Sequence, residues 1–336
     1  MVDEGSVARW CQAQGFEAVA VTCLGSQASG RTYYRARSSV ASRVIMHTPL
    51  EEKPAEIGGD TGGDDLPFRR VRAWLDDQGI PVPEEFCWDP QARLLMLEDL
   101  GDETLEDALA HRAQASIYGE AIDLLAQLHE RTRDATAADL PGLAKTFDAE
   151  FLRWELDHFR EYLIEARQGA LSAEQLDALD PILQRLAEEV AAIPQGFVHR
   201  DYQSRNVMAT ARGLVVIDFQ DALRGPLIYD VVALLRDSYV EVPEPLLSEL
   251  LERYRSQRSG MPDAQTFRRW FDLQSLQRKL KDAGRFVYID QVRGNPDFLV
   301  HIPLSLQYVD EAFDRLPEYA DLRSLIAPLV PELRKP

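Results

Sequence analysis

The stretch from residue 197 to residue 221, FVHRDYQSRNVMATARGLVVIDFQD, constrains this chain more tightly than any other. The apolar pair Phe197-Val198 runs into His199, Arg200 and Asp201. Asn206 follows five residues after that Asp, and the apolar run from Leu214 to Ile217 ends in Asp218-Phe219. One short strand that delivers a carboxylate into a loop, and a second that ends on another, aim both groups at a cleft. Each of these polar residues alone reads as an ordinary loop residue. The spacing of the set does not.

That spacing matches H-R-D-x-x-x-x-N followed by D-F, as in the protein kinases. The residue types suit phosphoryl transfer, which needs little covalent help but much alignment and charge neutralisation. Magnesium ions that clamp a triphosphate take hard oxygen ligands, which Asn206 and Asp218 supply. A carboxylate facing the acceptor hydroxyl takes its proton during attack, and Asp201 is the candidate base. ATP and Mg²⁺ are the cofactors expected.

The rest of the chain is organised around that segment. Residues 16–24, 31–37 and 42–47 are rich in β-branched and aromatic types and read as strands. Residues 51–65 (EEKPAEIGGDTGGDD) read as a surface loop. Phe68, Val71, Arg72 and Leu75 lie at helical spacing, Pro-Val-Pro at 81–83 stops that helix, and 86–88 with 93–97 form a hairpin across a DPQA turn. After residue 100 long helices are predicted over 104–111, 116–133, 147–167 and 172–192, with Ser172 and Gln175 as a capping box. Short strands near 207–209 and 214–218 interrupt them. The expected fold is α+β and protein-kinase-like, with a small β-rich N-lobe at 1–98, a hinge near 98–101 and a larger helical C-lobe at 99–336.

Outlying residues narrow the resemblance. Glu98-Asp99-Leu100-Gly101 before Glu103-Thr104-Leu105, Ala126-Gln127-Leu128-His129, and Tyr229-Asp230 make the chain similar to the aminoglycoside phosphotransferase-like family. The resemblance implies that the hinge backbone at Glu98 and Leu100 meets the adenine and that Asp230 buttresses the catalytic loop, with His199 and Arg200 as further structural support. His129 is expected to be a core histidine. Closer still, HRDYQSRN, DFQDALRGPLIYDVVALLRD and LQRKLKDAGRF at 276–286 resemble the bacterial N-acetylmuramate/N-acetylglucosamine 1-kinases, the anomeric sugar kinases of peptidoglycan recycling. The motifs span roughly residues 24–290. A sugar acceptor follows as an expectation, with Gln203, Arg205 and Asp221 as candidate contacts. A guanidinium at Arg205 would suit a muramate carboxylate.

Two departures stand out. The glycine-rich loop, Leu24-Gly25-Ser26-Gln27-Ala28-Ser29-Gly30, has two glycines where G-x-G-x-x-G has three; Ser26, Ser29 and Gly30 are its candidate phosphate contacts. The lysine of V-A-I-K is replaced, since Arg43-Val44-Ile45-Met46 stands there. Arg31 and Lys53 are the alternatives for that charge, and the anomeric sugar kinases look similarly irregular there. Gln220 also replaces the glycine of D-F-G.

The net charge of −19 argues against nucleic acid or an anionic membrane as partner, and favours a cationic acceptor slightly. Two other readings stay open: a kinase for an amino alcohol or aminoglycoside, which the charge favours, and an ATP-binding pseudokinase, which the missing lysine and the thin glycine loop favour. Cys11, Cys23 and Cys87 fit neither a disulfide framework nor a zinc pattern, and no signal peptide is evident. A cytoplasmic enzyme is expected. Nothing in the sequence sets the oligomeric state.

Overall fold

The computed structural model describes residues 2–26, 30–48 and 66–333. The loop expected at 51–65, with Lys53, lies outside those residues, as does Ser29. The chain divides into two compact units: Met1–Glu103 with Met208–Gln220, and Thr104–Val207 with Asp221–Pro336.

The first unit is built on a five-stranded antiparallel sheet in the order β1-β2-β3-β5-β4. Its strands are β1 Ala20–Ser26, β2 Thr32–Arg37, β3 Ser42–His47, β4 Glu85–Asp89 and β5 Leu94–Glu98. The period of two sorts each strand onto two faces. Tyr34 and Ala36 of β2, Ile45 of β3, and Leu94 and Met96 of β5 pack with Val7, Trp10 and Cys11 of helix α1, Glu4–Ala13. Their neighbours Tyr33, Val44 and Leu97 face the other way and line a cavity.

The sequence reading did not anticipate α1, although the signal is present. Asp3 caps it by accepting from the Ser6 amide at 2.8 Å, and Val7, Trp10 and Cys11 fall at i, i+3 and i+4. The indole of Trp10 donates to Asp89 at 2.9 Å and ties the helix to the β4–β5 turn. The first strand starts at Ala20 rather than residue 16, because the Phe16 amide closes α1 by bonding the Cys11 carbonyl. Helix α2, Pro67–Asp77, forms where expected, and its Phe68 ring packs 4.9 Å from that of Phe219.

In the second unit β6, Gln195–Val198, pairs with β9, Leu223–Pro226, a ladder the sequence reading missed. Between them in sequence comes the hairpin of β7, Val207–Thr210, and β8, Gly213–Val216, whose residues from Met208 on belong to the first unit. The helices of the second unit begin with α3 Leu105–Ala108, α4 Gln114–Arg131, α5 Ala149–His158, α6 Ala166–Gln168 and α7 Ala173–Ala191. They continue with α8 Tyr229–Leu235, α9 Leu246–Ser256, α10 Ala264–Arg293, α11 Ile302–Arg315 and α12 Ala320–Ile326. Both halves of the capping box at Ser172 and Gln175 form. The helix expected over 104–111 shortens to α3, which a capping box of Thr104 and Asp107 opens.

Helix α10 is the axis of this unit. Its Leu273, Leu276, Leu280 and Ala283 sit in the same core as Leu152, Leu156 and Phe159 from α5 and the turn after it, and Val309 and Phe313 from α11. Where α10 meets α5 the backbones nearly touch. A Cβ on Gly284 would lie 2.3 Å from the His158 carbonyl oxygen, and there the helix widens into a π turn over Phe159–Glu165. Gly284→Ala is therefore expected to overpack this contact and destabilise the protein by about 1–3 kcal/mol. The check is the midpoint of denaturant unfolding; a midpoint equal to wild type would mean that the two helices separate without cost.

Candidate active site

The loop after β6 is shaped by one buried carboxylate. Asp230, in the first turn of α8, accepts from the His199 amide at 2.7 Å and the Arg200 amide at 3.0 Å. His129 supports it from α4, with Nε2 3.0 Å from the same carboxylate and Nδ1 2.6 Å from the Tyr254 hydroxyl, which in turn accepts from Arg258 at 3.1 Å. Burial lowers the His129 pKa, so the neutral ring donates to Asp230 and accepts from Tyr254. Burial would raise the pKa of Asp230, but the His129 bond and the His199 amide outweigh it, and the net shift is downward. Asp230 stays an anion without exposure to solvent. Its two amide acceptances hold Arg200 at φ +78, a left-handed conformation uncommon for a residue with a Cβ.

That geometry turns Asp201 outward. Its side chain is 48% exposed, while His199 beneath it is fully buried and its Nδ1 accepts from the Asp201 amide at 3.3 Å. Asn206 donates from Nδ2 to the Asp201 carbonyl at 2.9 Å, which leaves its amide oxygen for another partner. The loop between them is pinned by Ser204, whose amide and hydroxyl both donate to Asp237, at 2.8 and 2.6 Å. Burial raises the Asp237 pKa, opposed by those two bonds.

Of the candidate acceptor contacts, Gln203 and Arg205 are on this loop, and Asp221 lies two residues before β9. Gln203 and Asp221 are half-buried. Arg205 is engaged on both sides: its Nε and Nη2 donate to Glu106, and its guanidinium stacks 3.7 Å from the centre of the Tyr239 ring. Burial pushes the Tyr239 hydroxyl up to about 12.

The first unit holds a cavity of about 350 Å³, within the range of small-molecule sites. Leu24 and Gly25 near the end of β1, Val44, Phe68, Leu97, Met208 and Ile217 give it apolar walls, and Glu98, Leu100 and Gly101 also line it. Asp218 supplies a carboxylate at the wall, with φ +62 and a bond from Gln220 Nε2 at 2.9 Å. Tyr33 stands nearby; burial, with a further push from the Asp218 charge, carries its hydroxyl to about 12 against the pull of Arg31. Arg31 is buried next to Tyr33 in sequence register, and Gly30 has φ +79. The backbone of Ser26 ends β1. Met46 is fully buried opposite Tyr33, so β3 presents no cation at that position.

The segment 98–102 is clamped by a residue that sequence reasoning passed over. Arg35 of β2 is 2.8 Å from Asp99, 2.7 Å from Asp102 and 3.1 Å from the Gly101 carbonyl, and Ser42 also donates to Asp99. Burial would raise the Asp99 pKa; Ser42 and Arg35 more than reverse it. Glu98 accepts from Arg212 at 2.7 Å and from the Glu84 amide at 3.1 Å. Asp237 was likewise missed. The signal was the Leu-Leu-Arg-Asp string itself, read as a resemblance and given no task.

Among the described residues, no group of three or more His, Cys, Asp and Glu could hold a metal. In the second unit Asn206 offers an amide oxygen, and in the first unit Asp218 offers a carboxylate. Each is a hard oxygen donor of the kind that magnesium takes beside water and phosphate.

Residues 21–270 match the phosphotransferase enzyme family. An N-acetylmuramate/N-acetylglucosamine kinase of Pseudomonas aeruginosa is 34% identical over 310 residues, covering 90% of this chain and 87% of that protein. A protein of the same name from Pseudomonas putida is 31% identical, covering 92% and 88%. Among solved structures, a choline kinase from Streptococcus pneumoniae superposes with a TM-score of 0.63 at 14% identity, covering 92% of this chain and 99% of that one. That last likeness is one of fold, the α+β architecture of the protein-kinase-like phosphotransferases. The match to most of the chain and the identity to full-length relatives give one conclusion: this chain belongs to the phosphotransferase enzyme family.

Proposed function

We propose that the protein transfers the γ-phosphoryl group of ATP to the anomeric hydroxyl of N-acetylmuramate or N-acetylglucosamine, giving ADP and the sugar 1-phosphate. The observation that carries the sugar is the identity to relatives so named, 34% and 31% over about nine-tenths of the chain. The residues of the two units supply the rest. ATP binds in the cavity of the first unit, its adenine against the backbone at Glu98–Gly101 and the apolar walls at Val44 and Leu97. Asn206 and Asp218 hold Mg²⁺, which neutralises phosphate charge when bound. Asp201, outward-facing and half exposed, accepts the proton of the acceptor hydroxyl as its oxygen bonds to phosphorus and the bond to the β-phosphate oxygen breaks.

The acceptor position has a physical argument. The ring oxygen withdraws electron density from the anomeric hydroxyl and makes it more acidic than the other sugar hydroxyls, so a carboxylate base is better matched to its proton. Gln203 and Asp221 are the remaining candidates for sugar contacts. Arg205 is already paired with Glu106, so a muramate carboxylate would have to compete for it.

Three outcomes test this reading. Asp201→Asn is expected to lower turnover about 10²–10⁴-fold while ATP still binds; near wild-type turnover would remove Asp201 as the base. Asp218→Ala is expected to abolish magnesium-dependent nucleotide binding in calorimetry, and unchanged affinity with unchanged rate would take Asp218 out of the site. The product made from the better of N-acetylmuramate and N-acetylglucosamine, set beside choline and kanamycin as acceptors, is expected by phosphorus NMR to carry an acid-labile 1-phosphate. An acid-stable 6-phosphate would overturn the anomeric assignment and leave the kinase.

A further inference from the structure

The charges of α10 are in an unusual place. Arg278, Lys279 and Asp282 are all buried, in a helix whose core neighbours are leucines. The Lys279 ammonium donates to Asp282 at 2.8 Å and to Ser238 at 2.9 Å. Lys281 lies 3.0 Å from Asp282 and 4.0 Å from Glu155. Removing this many charges from water is costly, and a well-packed apolar set of the same volume is often as stable or more so. The cluster therefore calls for a reason other than stability.

Arg278 supplies one. Its side chain is 2% exposed, its guanidinium carbon lies 4.7 Å from the centre of the Tyr229 ring, and its Nε is 3.8 Å from Asp282. The far end reaches the loop that carries Asp201. Nη1 donates to the Arg200 carbonyl at 3.1 Å, and Nη2 stands 3.9 Å from Asp201 Oδ1. Asp230 holds the amides of His199 and Arg200, so Arg278 holds the next peptide from its other side. The Arg200 residue, at φ +78, is thus fixed at both its N–H and its C=O. The second contact is an ion pair at its outer limit, but its cation is inside the protein, where charge is screened less than at the surface. At 2% exposure Arg278 presents almost no surface of its own to a substrate.

We propose that Arg278 is the positioning residue of the base: it holds the Arg200–Asp201 peptide by its carbonyl and the Asp201 carboxylate by its charge, so that the carboxylate meets the acceptor hydroxyl in one orientation. This rests on Asp201 being the base. Asp282, with Lys279 and Lys281 about it, keeps the guanidinium in place from behind. The buried charges of α10 are then the support of a single side chain on the far side of the loop.

A double-mutant cycle on the full-length protein tests it, with ATP and the better sugar acceptor. Arg278→Met is expected to lower kcat about 10²-fold, as loss of alignment does, with KM for both substrates within about threefold of wild type. Arg278→Lys, which keeps the charge and loses the fork, is expected to fall in between. In the Asp201→Asn background either change is expected to cost less than about threefold, because nothing is left to align. The same loss in both backgrounds, or a loss confined to KM, would overturn the proposal and make Arg278 a structural residue. Should Arg278→Met fail to fold, shown by its circular dichroism melt, the Arg278→Lys arm of the cycle decides alone. If Asp201→Asn by itself keeps the wild-type rate, the base assignment fails, an outcome distinct from additivity.

Discussion

A carboxylate at the start of α8 organises the loop that carries Asp201. Asp230 receives two consecutive backbone N–H groups, and a peptide held at two successive amides has little freedom left. Its charge survives burial because a relay from Arg258 through Tyr254 and His129 ends on it. Each member satisfies the next, which is the condition under which buried polar groups rigidify rather than weaken a fold. The elements so connected, α4, α8 and α9, are distant in sequence, and their packing is read out as the direction of one exposed side chain, Asp201.

The motif from His199 to Asp218 was legible because its parts are close together in the chain. His199, Arg200, Asp201, Asn206 and Asp218 fall within twenty residues, and the loop and strand ends that carry them follow from local apolar runs. The same holds for the capping box at Ser172, and Glu98 and Leu100 line the cavity of the first unit. What escaped was made of long-range contacts. Arg35 reaches Asp99, Asp237 reaches Ser204, and Arg278 reaches the Arg200 carbonyl, and none of these pairs has a local pattern. The β6–β9 ladder was missed for the same reason, since four-residue strands twenty-five residues apart leave almost no periodicity to read. Helix α1 is different: its cap and its apolar spacing were both in the sequence and were passed over.

Arginine carries much of this long-range work. Arg35 clamps the segment 98–102, Arg258 ends the Asp230 relay and Arg278 backs the loop, each with its guanidinium nearly or wholly out of solvent. A planar fork with five donors serves several acceptors at once, and is less strongly hydrated than an ammonium. Arg35 shows the benefit most directly, joining two carboxylates and a carbonyl of one turn.

The two faces of the sheet in the first unit have a consequence for how the protein can vary. Tyr33 and Tyr34 are adjacent in the chain, yet one lines the cavity and the other lies in the core under α1. The same division separates Val44 from Ile45 and Met96 from Leu97. Inserting or deleting one residue in β2 would exchange the two sets, sending Arg35 into the apolar layer and Tyr34 into the cavity. Drift in this sheet is therefore confined to substitutions, or to length changes in the turns, and two interleaved selections act on one strand. Odd positions answer to whatever occupies the cavity, and even positions answer to the helix behind.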